Sequence, residues 1–337
     1  MDRARVFKAA WRLGCAVAAL GGGVVHAQGG DHVTLTSDGS APIAPVASAL
    51  AAGAGEAFAG ALRAGMAPDA AAERPAMKLG GAELEAFNRR YPPKVPPYAR
   101  RGTDVRPESV VGADRRFRVY PRESGFPYRA IGLLTYTQGS SSYSCTGFLI
   151  SKDTVATAGH CVYDGDWSTH VRFYPAYNAG AAPFGSCGAR RLFAVARWVQ
   201  SSFDNGSEDF DYGAVKLNCE IGRTTGWLGY YATPDSLVGL PVLLMGYAGD
   251  KSPPKSLWGA SGGIAISEPR KLRYQLDTAS GESGSPVIEA DRGASRAKCF
   301  GTCAVGIHTY AAEGGNNSAT RINRAVADNL TTWKNAP

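Results

Sequence analysis

Three short strings in this chain hold residue types that together could attack a carbonyl: TAGHCV around His160, DFDYGAVKL around Asp211 and GESGSPV around Ser283. A serine hydroxyl is a weak nucleophile at its own pKa and needs a base within hydrogen-bond reach. His160 is of the right type, because an imidazole with an unperturbed pKa of about 6.5 can take the serine proton near neutral pH and hand it to a leaving group. A carboxylate is then needed to fix the imidazole tautomer and stabilise the imidazolium, a role open to Asp211. The backbone N–H groups of Gly281 and Ser283 could converge on the developing oxyanion, and a side chain at 281 would obstruct that turn.

Each string has a plainer reading. GESGSPV could be a polar loop between strands, Asp211 could be a turn residue with Asp204 and Asp209 as competitors, and His160 beside Cys161 could be half of a metal site. No CxxC or HExxH spacing supports the metal. The G-x-S-x-G elbow of α/β-hydrolases is excluded, because its fifth position here is Ser285 and only His308 follows the serine. A nucleophilic Cys161 is less economical than a disulfide half-cystine in an exported protein.

In the order His, Asp, Ser, the motifs TAGHC, DYGAVKL and GESGSPV resemble those of the chymotrypsin-like serine endopeptidases, and of their bacterial glutamyl endopeptidase (V8-like) branch in particular. SVVGADRRFRV at 109–119, FPYRAIGLL at 126–134, the stretch 145–161 and GIHTY at 306–310 carry the closer match, which runs over roughly 109–334. The resemblance implies an all-β fold of two chymotrypsin-like barrels and hydrolysis of peptide bonds through an acyl-enzyme. It selects His160, Asp211 and Ser283 as the triad and Gly281 and Ser283 as the oxyanion donors. Separations of 51 residues from His160 to Asp211 and 72 from Asp211 to Ser283 suit a triad split across the barrels.

By the same resemblance Asp277, Thr278 and His308 stand at pocket positions, where they conflict. A histidine and a hydroxyl would hold a substrate glutamate (or aspartate) carboxylate. Asp277 stands where trypsin-like enzymes bind Arg or Lys, so a glutamate preference requires it to point away or be paired. Cleavage after Arg or Lys is thus the alternative, and a non-catalytic binding protein on the same fold is another. His308 could also be a core histidine bonded within its strand. Glu282 departs from the family, which usually has Asp, Asn or Gln before the serine; it would pair with a newly formed α-amine or face solvent.

The elements that must position these residues follow from the rest of the chain. Residues 1–27 carry Arg3, Arg5, Lys8 and Arg12, then an apolar run from Leu13 to Val25 and Val25-His26-Ala27, the order of a secretory signal peptide. No other stretch approaches the roughly 20 apolar residues of a membrane span, so a secreted or periplasmic protein without a membrane anchor is expected. Setting aside Cys15 leaves six cysteines, an even number that suits an oxidising compartment. The resemblance pairs Cys145 with Cys161; Cys187 with Cys219 and Cys299 with Cys303 then follow by elimination and proximity.

From 28 to 108 the chain is rich in Ala, Gly and Pro, with one polar helix expected at 82–90. It reads as a propeptide that buries little core and ends in an extended, protease-accessible segment. The resemblance starts the mature chain at Ser109 or Val110, just after Glu108, which suits self-cleavage; Arg101 and Arg116 are competing sites. The expected domains are a first barrel at 109–222 and a second at 223–337, the latter ending in a helix. Short apolar runs such as 130–136, 192–199, 240–247 and 304–307, separated by Gly, Ser, Asp or Pro, give the all-β pattern. Ile322, Val326, Leu330 and Trp333 fall at helical spacing. The net charge of +7 comes without a basic cluster or aromatic ladder, so nucleic acid is not expected as a partner. Polypeptide substrates and the chain's own propeptide are, with the protein acting as a monomer. No cofactor or metal is called for, and no EF-hand-like loop is present.

Overall fold

The computed structural model describes residues 31–40, 77–96, 110–201, 206–290, 299, 301–311 and 315–337, together with the backbone of 56–58. The expected leader at 1–27 and the expected boundary at 108–109 lie outside the described residues.

Four short strands precede the barrels: β1 (Thr34–Thr36), β2 (Glu56–Phe58), β3 (Met77–Lys78) and β4 (Phe117–Arg118). The first barrel uses β5 (Ile131–Gln138), β6 (Ser141–Leu149), β7 (Thr154–Thr157), β8 (Thr169–Pro175), β10 (Cys187–Val195) and β11 (Gly213–Leu217), with β9 (Ala181–Ala182) outside it. Its order is β10-β11-β7-β6-β5-β8, closed by β8 pairing back onto β10. The second follows β12 (Gly229–Ala232) and uses β13 (Pro241–Gly246), β14 (Trp258–Ser267), β15 (Lys271–Tyr274), β16 (Pro286–Glu289), β17 (Cys303–Ala311) and β18 (Asn317–Arg321). Its order is β16-β13-β14-β15-β18-β17, and β16 pairs with β17 to close it. Closure leaves little open edge, and what remains is paired: the far end of β10 takes β1 and the start of β17 takes β12. Two antiparallel barrels are therefore present, as the resemblance implied.

The apolar runs fill these barrels: Leu133, Leu134, Phe148, Phe173 and Phe193 are fully buried in the first, and Leu244, Tyr274 and Val287 in the second. Each such side chain contributes roughly 1.5–3 kcal/mol by leaving water. The run expected at 192–199 divides, with β10 ending at Val195 and one helical turn covering Ala196–Val199.

The C-terminal helix, Arg324–Asn335, is capped by Asn323, whose side chain accepts from the Val326 N–H at 3.1 Å. Val326, Leu330 and Trp333 form its buried stripe. Although its residues follow the second barrel in sequence, Trp333 stacks on Phe193 of the first, ring centroids 5.7 Å apart. Conversely β4, within the range expected for the first barrel, pairs with β14 of the second.

The region before the barrels behaves as its composition suggests in one respect: the helix Gly81–Arg90 buries no residue. It is nonetheless fastened down by polar contacts. β1 extends the first sheet beside β10, His32 meets the Tyr212 hydroxyl at 2.7 Å, and Trp333 Nε1 donates to Thr34 Oγ1 at 2.8 Å. The three disulfides join Cys145–Cys161, Cys187–Cys219 and Cys299–Cys303. Among the described residues no helix is long and apolar enough to cross a membrane.

Candidate active site

His160 lies in the single helical turn Gly159–Val162 that follows β7, and Asp211 lies one residue short of β11, separated from it by Tyr212, with β11 the neighbour of β7. The Asp211 carboxylate grips this histidine twice. Oδ2 is 2.7 Å from His160 Nδ1, and Oδ1 accepts the His160 main-chain N–H at 2.8 Å. Burial alone would push this fully buried carboxyl up, but His160's charge and hydrogen bonds and the Tyr310 hydroxyl outweigh it and hold its pKa below the ordinary value. Gly159 makes the approach possible, since a side chain there would begin 2.9 Å from Asp211 Oδ1. Thr320 Oγ1 donates to the Asp211 carbonyl at 3.1 Å, tying this end of the site to β18 of the other barrel.

Ser283 sits in the turn before β16, flanked by Gly281 (φ +99°) and Gly284 (φ +88°), both in the left-handed region that favours glycine. A side chain at 284 would start 2.1 Å from the Thr146 carbonyl. β6 holds the turn from the first barrel: Thr146 N–H donates to the Ser283 carbonyl and Thr146 Oγ1 to the Gly281 carbonyl, each at 2.9 Å. β17 holds it from the second, where the Gly284 N–H donates to the His308 carbonyl at 2.8 Å. His160 Nε2 is buried without a hydrogen-bond partner among the described residues, so its hydrogen bond to the Ser283 hydroxyl is not formed in this arrangement and has to close before proton transfer.

Glu282 does not face solvent. It is fully buried, accepts the Ala279 N–H at 2.8 Å, and lies 3.5 Å from the guanidinium of Arg116. Arg116 is itself held by Asp114 (2.9 Å) and Asp250 (2.9 Å), and Lys251 also meets Asp114. Burial opposes its charge, but these carboxylates prevail and raise its pKa.

Asp277, on which the two pocket readings conflict, is paired. Both oxygens of Asp277 are taken, one by the Val111 N–H at 2.8 Å and the other by the Arg115 N–H at 2.9 Å, with the Arg115 side chain 3.9 Å away. Thr278 is fully buried and its hydroxyl has no hydrogen-bond partner among the described residues. His308 is also fully buried, with Nδ1 2.7 Å from the Tyr274 hydroxyl. Desolvation lowers its pKa to about 3, so it is neutral at physiological pH and still presents an N–H.

Arg116, Tyr310, Thr146 and Lys271 were missed as site residues. The buried Lys271 ammonium meets Thr309 Oγ1 at 3.3 Å and lies 4.9 Å from the Tyr310 ring centroid; burial lowers its pKa against the pull of Glu208, Asp211 and Asp209. Only its lone position in a strand could have flagged it. The metal alternative loses its donors: Cys145, His160 and Cys161 come within 4.8 Å of one another, but both sulfurs belong to one disulfide.

The trypsin family model matches residues 122–333. The glutamyl endopeptidase of Bacillus licheniformis is 44% identical over 234 residues, covering 68% of this chain and 70% of its own. A Bacillus subtilis protein named extracellular metalloprotease is 38% identical over 238 residues, covering 68% and 71%. Among solved structures, a Glu endopeptidase in complex with MPD superposes with a TM-score of 0.59 at 26% identity, covering 67% of this chain and all of that one.

Proposed function

The chain belongs to the trypsin family and is a serine endopeptidase of the V8-like kind, and on that premise we propose that His160, Asp211 and Ser283 form its triad and that it cuts polypeptides after Glu or Asp. Ser283 Oγ attacks the scissile carbonyl while His160 Nε2 takes its proton, and Asp211, held on Nδ1 and on the main chain, stabilises the imidazolium. The N–H groups of Gly281 and Ser283 receive the oxyanion. His160 then returns the proton to the leaving amine, and a water, deprotonated by the same base, releases the acyl group from Ser283.

The observation that carries the specificity is the capture of both Asp277 oxygens by main-chain N–H groups. A carboxylate so engaged offers little to an Arg or Lys side chain, while Thr278 and the neutral His308 supply donors for an acidic one. Bringing in a carboxylate raises the His308 pKa, so binding at acid pH is accompanied by proton uptake.

We extend the reading to the whole chain: residues 1–27 direct secretion, 28–108 form a propeptide, and the protease unit, acting as a monomer, begins at Ser109 after self-cleavage at Glu108. The leader-like N-terminus and the even number of cysteines beyond it support export. The relative from B. subtilis is extracellular by name. The experiment is expression of Ser283→Ala beside wild type. The variant accumulates as a precursor that retains residues 28–108 and reacts with no fluorophosphonate. Maturation of purified Ser283→Ala at Ser109 contradicts self-processing, and fluorophosphonate labelling of that variant contradicts Ser283 as nucleophile.

A further inference from the structure

Ser283 and His160 are wholly buried in the full-length chain, whereas a nucleophile that is to meet a polypeptide must be reachable. A segment preceding the barrels, Tyr91 to Pro96, lies beside them. Ser144 N–H donates to the Pro92 carbonyl at 2.7 Å, the Lys94 N–H donates to the Ser144 carbonyl at 2.8 Å, and Ser144 Oγ donates to the Tyr91 carbonyl at 3.1 Å. Both main-chain groups of Ser144, which an extended peptide would use to add itself as a strand, are therefore occupied. Two residues along, Thr146 of the same strand holds the carbonyls of Ser283 and Gly281.

Pro93 packs directly on that turn. A side chain on Gly281 would begin 3.0 Å from Pro93 Cβ, and one on Gly249 would begin 2.4 Å from Pro93 Cγ. Proline suits the place, because the two bonds to Ser144 come from its neighbours and need no N–H at 93. Lys94 anchors the segment: it is 1% exposed, and its ammonium meets Asp164 at 2.7 Å, the Gln138 side chain, and the Tyr143 ring at 4.3 Å. Gln138 in turn donates to the His160 carbonyl at 3.1 Å, so the anchor shares a partner with the turn that carries the base.

We infer that residues 91–96 are an intramolecular inhibitor which fills the strand-binding edge at Ser144 and caps the oxyanion turn at Gly281. This rests on the propeptide and triad assignments above and adds which residues silence the enzyme. The sequence protects the inhibitor from its target: no Glu or Asp stands between Glu85 and Asp104, and prolines flank Lys94-Val95 on both sides. A cut at Glu108 therefore leaves the segment seated, and activity waits for its departure. Departure is feasible because the adjoining helix buries no residue; its hold comes from Phe87, packed on Tyr177 (5.5 Å) and Tyr174 (5.8 Å), and from Lys255 Nζ on the Asn88 carbonyl (3.2 Å).

The test uses the full-length chain carrying Glu108→Gln to slow processing, alone or with Lys94→Met or, separately, Pro93→Gly. Each is treated with a fluorophosphonate, and native mass spectrometry scores labelling on every species: uncut, cut with the segment retained, and released. Labelling scales with the open fraction, so the first two species react at least ~10-fold more slowly than the released unit, and either added substitution removes most of that difference in the uncut chain. Equal labelling of all species, or no acceleration in either variant, overturns the inhibitor. Labelling of none overturns the triad assignment and this inference with it. A cut elsewhere than 108 appears as a change of mass and bears only on the maturation site.

Discussion

Replacing Arg116 by Met puts the support of the nucleophile turn to a quantitative test. Arg116 and Glu282 side chains are both 0% exposed, whereas Asp114 and Asp250 are 32% and 45% exposed. On losing the guanidinium, the two outer aspartates can turn to water, whereas Glu282 stays buried without that cation, keeping the N–H of Ala279. Removing one partner of such a buried pair costs about 3–5 kcal/mol. The penalty belongs to the ionised form, so in Arg116→Met the folded-state pKa of Glu282 rises above its unfolded value of about 4.3. The folded state then binds more protons, and the variant loses stability relative to wild type as pH rises from that value, reaching the full loss only above the raised pKa. Adding Glu282→Gln removes the buried charge while keeping an acceptor for Ala279, and recovers about 2 kcal/mol or more. Because Glu282 adjoins Ser283, displacement of the turn also lowers kcat by about 100-fold, the typical cost of one oxyanion donor. Denaturant unfolding from pH 4.5 to 8 in a Ser283→Ala background reads the stability, and single-turnover acylation with Ser283 intact reads the chemistry. A loss below about 1 kcal/mol without a pH trend, together with wild-type acylation, would refute the reasoning.

Asp277→Asn weakens two hydrogen bonds that now end on a charge, each worth about 1.5–3 kcal/mol; melting falls while the ratio of cleavage after Glu to cleavage after Arg stays put, and a loss of cleavage after Arg would return Asp277 to the pocket. His308 stays neutral down to about 3 in the folded state and His32 down to about 4. An unfolded imidazole binds its proton at about 6.5, so both histidines contribute stability above 6.5 that is lost as pH falls through that window, and His308→Gln flattens part of this acid limb in melting curves between pH 7 and 3.5. An unchanged limb would contradict the buried neutral histidine. Serine at both Cys145 and Cys161 costs roughly 3 kcal/mol and lowers kcat, since this bridge ties β6 to the turn that carries His160; activity unchanged at full folding would show that the tie is dispensable.

The residues proposed as nucleophile, base and carboxylate could be picked out because they are side chains whose types and order carry chemical meaning. Their settings were not. Asp277 is occupied by the main-chain N–H groups of Val111 and Arg115, and main-chain donors leave no mark in a sequence. Glu282 finds Arg116 only because β4 lies against β14, a pairing between segments far apart in the chain. The terminal helix showed its buried stripe through the spacing of Val326, Leu330 and Trp333, but not that Phe193 of the first barrel would receive it. Composition suggested little apolar core before the barrels, and among the described residues there the helix Gly81–Arg90 buries none. It could not show that one imidazole, one indole-to-threonine bond and one buried lysine would fasten that region instead.

The most direct measurement is kcat/KM of the processed protein on matched peptides that differ only in having Glu, Asp, Arg or Phe before the scissile bond, run beside Ser283→Ala. Glu exceeds Arg by at least ~100-fold, the order expected when buried donors are satisfied by one substrate and left unpaired by the other, and the variant shows no cleavage. Preference for Arg would contradict the specificity, and undiminished turnover by Ser283→Ala would contradict the mechanism.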